Sequence, residues 1–270
     1  MRPMTSRAPL YTLPNGLAVH HHRAYETDFV YQEVFVEEIY TKAFGQLPAR
    51  ATVIDVGANI GLFSLLIKQQ LPEASVYAFE PAPVHFALLA KNLQPYRHTH
   101  IFQQGLGETI TNKRFTYYPN YSVMSGFHAD ADDDRQLLAA GIANQLHLDQ
   151  PEKLEAAERY IEVLMDNKLD GAEHFDCSIT TLSAFIVEQK IARIDLLKID
   201  AEKAEADVLK GIQEKDWDKI DRIVLEAHDS KSSEHICTLL ARRGYSVSKI
   251  KSGEFKNAAI FIIYATREKI

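Results

Sequence analysis

The sequence predicts an α/β fold built on a doubly wound, mostly parallel sheet. Three observations carry that reading. From residue 51 onward short β-branched runs alternate with amphipathic stretches, the first run ends in a glycine-rich turn, and the chain closes with two strand-like runs joined by a short turn. Alternating strands and helices make parallel βαβ units, and a terminal hairpin sets one antiparallel strand into the sheet.

The elements follow in order. Residues 51–56 form the first strand, followed by a helix over 60–70. The second strand covers 75–79, and the helix after it carries Phe86, Leu88, Leu89 and Leu93 on one face. Residues 100–103 are a third strand, IDLLKI at 194–199 a fourth, and IDRIVL at 220–225 a fifth, with a helix over 232–243. Strands at 245–250 and 258–264, joined by a turn around Ser252 and Gly253, complete the sheet.

Two segments fall outside the alternation. Residues 1–50 form an N-terminal extension whose helical stretch, 30–44, carries Tyr31, Val34, Phe35, Glu38 and Ile39. The main domain spans 51–270, and residues 117–169 interrupt it as a lid insertion. That insertion opens with PNYSVMSG at 119–126, continues through the acidic run HADADDD, and contains helices near 135–145 and 152–167. The acidic run lacks the glycine and terminal glutamate of a calcium loop, and reads as a helix start, where acids are favoured.

Composition narrows the class. A chain of 270 residues with 46% hydrophobic and 25% charged residues is an ordinary globular protein, long enough for one large domain with a lid. Its net charge of −7, without a Lys/Arg run, argues against a nucleic-acid partner. No stretch has the length of a secretory leader or a membrane span, so a cytoplasmic protein with no membrane partner is expected. The two cysteines, Cys177 and Cys237, lie outside metal-ligand spacing and read as buried small side chains. The His20-His21-His22 run precedes the core and reads as an exposed strand end.

The glycine turn after the first strand reads Asp55-Val-Gly57-Ala-Asn59-Ile-Gly61. Doubly wound sheets hold nucleotides at this position, and glycine admits close backbone approach. A dinucleotide fingerprint would place glycine at 55 and three steps, not four, after Gly57. A pyrophosphate seeks bare N–H donors and is repelled by a carboxylate. S-adenosylmethionine carries a sulfonium and an ammonium instead, so Asp55 favours it over NAD. Glu80 ends the second strand, where an acid accepts ribose hydroxyls. The expected cofactor site is therefore Asp55, Gly57, Asn59, Gly61 and Glu80, with Asp55 and Asn59 facing the methionine end, and Ser125 reaching it from the lid.

VIDVGANIG, FEP, PNYSVMSG, IDLLKIDAEKAEADVLKGI and IVLEAHD together resemble the FkbM-type methyltransferases, from about residue 25 to the end. Within that family the chain is most similar to O-methyltransferases of polyketide and nonribosomal peptide assembly lines. One departure is Lys203-Ala204, where many members have glycine after the glutamate. The resemblance implies a class I S-adenosylmethionine methyltransferase fold and methylation of a hydroxyl on a polyketide- or peptide-like small molecule, free or carrier-bound.

Ligands of open parallel sheets sit beyond the carboxyl ends of the strands. The fourth strand brings Asp200 and Glu202 there, and the fifth Glu226, His228 and Asp229. Alternation points Glu226 and His228 the same way. A hydroxyl needs a base, so His228, near neutral pKa, is expected to take the proton, with Glu202 as its partner and Asp200 lining the site. Asp200, Glu226 and Asp229 would also suit magnesium, but the histidine on the same rim favours a metal-free site. Two alternatives remain: an NAD-binding oxidoreductase of similar fold, and a non-catalytic binding protein on a methyltransferase fold.

Overall fold

The computed structural model describes residues 10–41, 45–130, 134–135, 165, 167–251 and 260–267. Its main sheet contains β3 (Thr52–Val56), β4 (Ser75–Phe79), β5 (Thr99–Phe102), β9 (Leu196–Ile199), β10 (Arg222–Ala227), β11 (Ser246–Lys251) and β12 (Phe261–Thr266). Among the described residues these seven strands run in the order β5-β4-β3-β9-β10-β12-β11. Pairing is parallel except at β12, which is antiparallel to both neighbours. The sheet is the predicted one, and each observed strand lies within about three residues of its expected bounds. The turn expected around Ser252 and Gly253 lies outside the described residues.

Both faces are covered along the central strands, so β3, β4, β9, β10 and β12 are largely apolar, while the edge strands β5 and β11 are more exposed. Val53, Val76, Leu196, Val224 and Ile262 face α2 (Leu62–Gln70), α3 (Pro83–Leu93) and the N-terminal segment. Their neighbours Ile54, Leu197, Leu225 and Ile263 face α4 (Leu182–Glu188), α5 (Glu205–Lys210) and α6 (Ser230–Arg242). Strand alternation thus divides each run of apolar residues between two cores. Phe185 of α4 anchors the second core, its ring edge-on to Phe79, Phe102 and Tyr77 at 4.7, 4.9 and 5.6 Å.

Three features differ from expectation. The N-terminal extension begins with a hairpin, β1 (Leu10–Thr12) and β2 (Ala18–His20), resting on α3 through Asn92, which accepts from the His20 N–H at 2.6 Å. Its helix, expected over 30–44, is α1 (Ala24–Tyr31) extended by a π-helical turn (Gln32–Val36). It stops early because Glu38 adopts φ 51, a left-handed conformation no helix can pass through.

The insertion springs from a second sheet, β6 (Gly105–Leu106), β7 (Thr111–Tyr117) and β8 (Glu173–Thr180), in the order β6-β8-β7. The first four residues of β7 are exposed and polar, so no apolar alternation betrays it. The helices expected near 135–145 and 152–167 fall almost wholly outside the described residues. Among the described residues no helix is long and apolar enough to cross a membrane.

The rings around Phe185 generate a stability prediction. Phe185→Ala should lose about 3–5 kcal/mol, read from the urea midpoint, because the cavity opens between two packed layers. A loss below about 1 kcal/mol would show that these rings repack freely.

Candidate functional site

The strand order reverses between β3 and β9, and there the carboxyl ends of β3, β4, β9 and β10 open into a cleft of ≈ 1330 Å³ of empty space. The π-helical turn and Tyr40 wall one side, and residues 121–125 close over the top. Gly57, Asn59, Glu80, Ser125, Asp200, Glu202 and His228 all line it. Three other residues singled out in the sequence do not.

Asp55 is one of these. It is fully buried behind the glycine turn, its Oδ1 3.2 Å from the Lys198 ammonium and its Oδ2 accepting from Ser64 Oγ at 2.7 Å. The cause is register: Asp55 of β3 lies opposite Lys198 of β9, and a buried carboxylate keeps the nearest cation. Lys198 also donates to the Gly57 carbonyl at 2.7 Å and sits 3.4 Å from Asp200 Oδ2. Burial lowers the lysine's proton affinity, but Asp55 and Asp200 more than restore it, so the ammonium persists.

Gly61 is the second. It turns into α2 at φ 95, and a Cβ there would meet Leu89 of α3 at 2.7 Å, so it serves helix packing rather than the cleft. Asp229 is the third: it is exposed and caps α6, accepting from Ser232 N at 2.7 Å.

Gly57 lines the cleft, but its missing side chain answers to the protein. At φ 74 a Cβ would fall 1.7 Å from the Asp200 carbonyl oxygen. The turn's N–H groups are also taken. Gly57 and Ala58 donate to the Phe79 carbonyl, Asn59 to Glu80 Oε2, Ile60 to Asn59 Oδ1 and Gly61 to the Ala58 carbonyl. A pyrophosphate would find none of these five donors free, which argues against a dinucleotide. A phosphate-free cofactor needs none. Glu80 takes a second backbone bond from Ala82, leaving lone pairs on both oxygens for a diol. Burial pushes its carboxyl up to about 7, and a hydroxylic partner would complete its solvation. Ser125 accepts from the Tyr118 N–H at 2.9 Å, leaving its hydroxyl proton to donate.

Beyond β9 and β10 the acids gather on one ring. His228 Nε2 lies 3.2 Å from Glu202 Oε2 and 3.4 Å from Glu226 Oε1, and Nδ1 lies 3.6 Å from Glu205 Oε1. Burial works against the imidazolium, but Glu202 and Glu205 outweigh it and hold His228 well above its ordinary pKa. An unshifted histidine was expected; Glu202 and Glu205 instead raise it. Burial raises Glu202 to about 7 despite the histidine, and raises Glu226 as well.

Glu205, Lys198 and Tyr40 were missed in the sequence. Lys198 had a signal, as the one charge inside the apolar LLKI strand. Glu205 and Tyr40 had none, for they meet His228 and Asp200 only through the fold; Tyr40 donates to Asp200 Oδ2 at 3.1 Å.

The rim is held from outside. Glu202 and Lys203 both adopt left-handed backbone, at φ 46 and 71, costing about 1–2 kcal/mol each. From the lid side, Glu26 of α1 accepts from the Ser122 N–H at 3.2 Å and from its hydroxyl, and Arg23 donates to the Pro119 carbonyl and to Asn120.

A seven-stranded sheet of this order, with its cleft at the reversal and an acid closing the second parallel strand, defines a class I S-adenosylmethionine-dependent methyltransferase. The chain belongs to the FkbM methyltransferase family: residues 55–247 match the family described as the methyltransferase FkbM domain, and its cofactor is S-adenosylmethionine. The 31-O-demethyl-FK506 methyltransferase FkbM of Streptomyces tacrolimicus is 36% identical over 257 residues, covering 94% of this chain and 95% of its own. The AMB antimetabolite synthetase AmbE of Pseudomonas aeruginosa is 38% identical over 272 residues, covering 94% of this chain; the chain spans only 12% of that synthetase. The crystal structure of a methyltransferase FkbM from Methylobacillus flagellatus KT shares the fold, with a TM-score of 0.52 at 13% identity, over 87% of this chain and 47% of that one.

Lys198→Met should cost about 3–5 kcal/mol in urea unfolding, since Asp55 is left buried without its cation. Adding Asp55→Leu should return part of the loss. A double variant no more stable than the single one would place the cost in packing instead.

Proposed function

We propose that this chain methylates a hydroxyl oxygen of a polyketide- or peptide-like small molecule, free or held on a carrier. The Glu202–His228 pair at the cleft floor is the observation that carries the reading. The names of the synthetase AmbE and the 31-O-demethyl-FK506 methyltransferase support the acceptor class.

When bound, S-adenosylmethionine supplies an electrophilic methyl group on a sulfonium. Glu80 would accept the ribose hydroxyls, Asn59 and the Gly57 backbone would lie along the methionine end, and Ser125 would donate from above. Asp55 acts through Lys198 and the turn it supports. An aliphatic hydroxyl becomes a nucleophile as its proton leaves, and a base is most effective with a pKa near the working pH. Glu202, raised to about 7 by burial, meets that condition; His228, held protonated, does not. Glu202 therefore takes the hydroxyl proton, while the His228 imidazolium orients its carboxylate. Asp200 lines the approach, and Asp200, Glu202 and Glu226 together disfavour an anionic acceptor.

The cofactor test is a melting shift. S-adenosylhomocysteine at a hundredfold over its Kd should stabilise by about 2.7 kcal/mol, and NAD should give no shift. A shift with NAD alone would revive the oxidoreductase reading.

Hydroxylated acceptors, free and carrier-loaded, should be screened with 13C-methyl-labelled S-adenosylmethionine, with the carbon spectrum distinguishing O-methyl from N- or C-methyl product. An N- or C-methyl product overturns the proposal. With an accepted substrate, turnover should fall as pH drops through about 7, where Glu202 protonates, and fall again at high pH as His228 loses its proton. Glu202→Gln should lower kcat on the order of a hundredfold and abolish the acidic limb, with S-adenosylhomocysteine affinity unchanged. His228→Ala should lower kcat by about tenfold or more. Near-normal turnover in a folded Glu202→Gln variant removes the base assignment.

A further inference from the structure

Left-handed backbone favours glycine, yet two successive side chains, Glu202 and Lys203, adopt it at the cleft floor. Such a turn persists only where its surroundings over-determine it. The turn's own N–H groups supply part of that constraint: Ala201 N and Lys203 N both donate to Glu205 Oε1 at 3.2 Å. The rest comes from the insertion. Lys203 Nζ reaches 2.7 Å to Asp134 Oδ1, and Asp134 is 1% exposed and also accepts from Tyr118 OH at 2.9 Å. Gly126 packs so closely on the turn that a Cβ there would sit 2.9 Å from the Glu202 carbonyl oxygen.

An exposed ion pair would contribute little, being screened and free to move. This one differs, because its carboxylate is buried and its ammonium stems from a strained residue beside the carboxylate that touches His228. We infer that Lys203 is a positioning residue, whose ion pair with Asp134 of the insertion holds the left-handed turn and delivers the Glu202 carboxylate to His228. The contacts that hold the insertion against the turn and those that align the acid are then the same: Asp134 seats Lys203, and Glu202 is carried by the adjoining backbone. The catalytic meaning of that alignment rests on Glu202 being the base, but the geometry can be tested without any acceptor.

The test uses the full chain labelled with 13C-histidine, with the His228 signal assigned by its loss in His228→Gln. Groups facing that imidazole are Glu202, Glu205 and Glu226, with Asp200 beyond Glu202. Wild-type His228 should titrate above the ordinary range, and Glu202→Gln should lower it by about one pH unit or more. Lys203→Met should lower it in the same direction and Asp134→Asn likewise, whereas Lys203→Arg, which keeps the pair, and Lys203→Gly, which holds the left-handed turn without it, should leave it near the wild-type position. Lys203→Gly should melt above Lys203→Met, because both lose the pair but only glycine relieves the backbone.

An unmoved His228 titration in Lys203→Met, beside a shifted one in Glu202→Gln, overturns the positioning role. So does a Glu202→Gln variant whose His228 does not move. Lys203→Gly melting below Lys203→Met overturns the strain argument. Full turnover in Glu202→Gln would remove the base assignment while leaving the titration result standing, so the two readings fail separately.

Discussion

The site hangs on one buried cation. Lys198 sits in the middle of a parallel strand with apolar neighbours on both sides, and touches Asp55 of the next strand, Asp200 at its own strand's end, and the carbonyl of Gly57. A lone ammonium at that depth would be too costly to keep charged. With two carboxylates it stays charged, and it ties three parts of the cleft together: the strand under the cofactor turn, the turn itself, and the rim at the end of β9. β3 and β9 lie side by side through their parallel backbone ladder, which continues to the Asp200 N–H donating to the Val56 carbonyl at 3.0 Å. That approach is why residue 57 has no room for a Cβ against the Asp200 carbonyl.

Electrostatics differ at the two ends of the cleft. At the cofactor turn the backbone donors are consumed internally, so the ligand is met by acceptors and a carboxylate rather than by a nest of N–H groups. That suits a cationic, phosphate-free cofactor. At the other end three carboxylates surround one imidazole. Desolvation and mutual repulsion raise the acids while the acids raise the histidine, so the ring rather than the nearest carboxylate favours the proton. Assigning roles by residue type alone reverses this, because an isolated histidine is the better neutral-pH base.

The main sheet was legible because its central strands are buried on both faces and several end in punctuation: glycine after β3, glutamate and proline after β4, an acid after β9. The second sheet was not. β7 opens with four exposed polar residues, and its partner β8 pairs with it only after some fifty intervening residues, so periodicity had nothing to register. The N-terminal helix was legible as a helix but misplaced, since Glu38, a good helix former by type, adopts a left-handed conformation where the helix was expected to continue.

Within the site, chain order alone determined which residues reach the rim: strand ends put Gly57, Asn59, Glu80, Asp200, Glu202 and His228 at one edge of a parallel sheet, whatever the details of packing. Tertiary structure decided what each one does there. Asp55 turned inward because the strand register set Lys198 opposite it, and Asp229 turned away because a helix started one residue later. His228 is raised well above its ordinary pKa because Glu202 and, from the helix that begins three residues later, Glu205 come to lie against its two nitrogens. A pKa depends on what surrounds a group in space, and neighbours drawn from separate strands and helices are set by packing rather than by proximity along the chain.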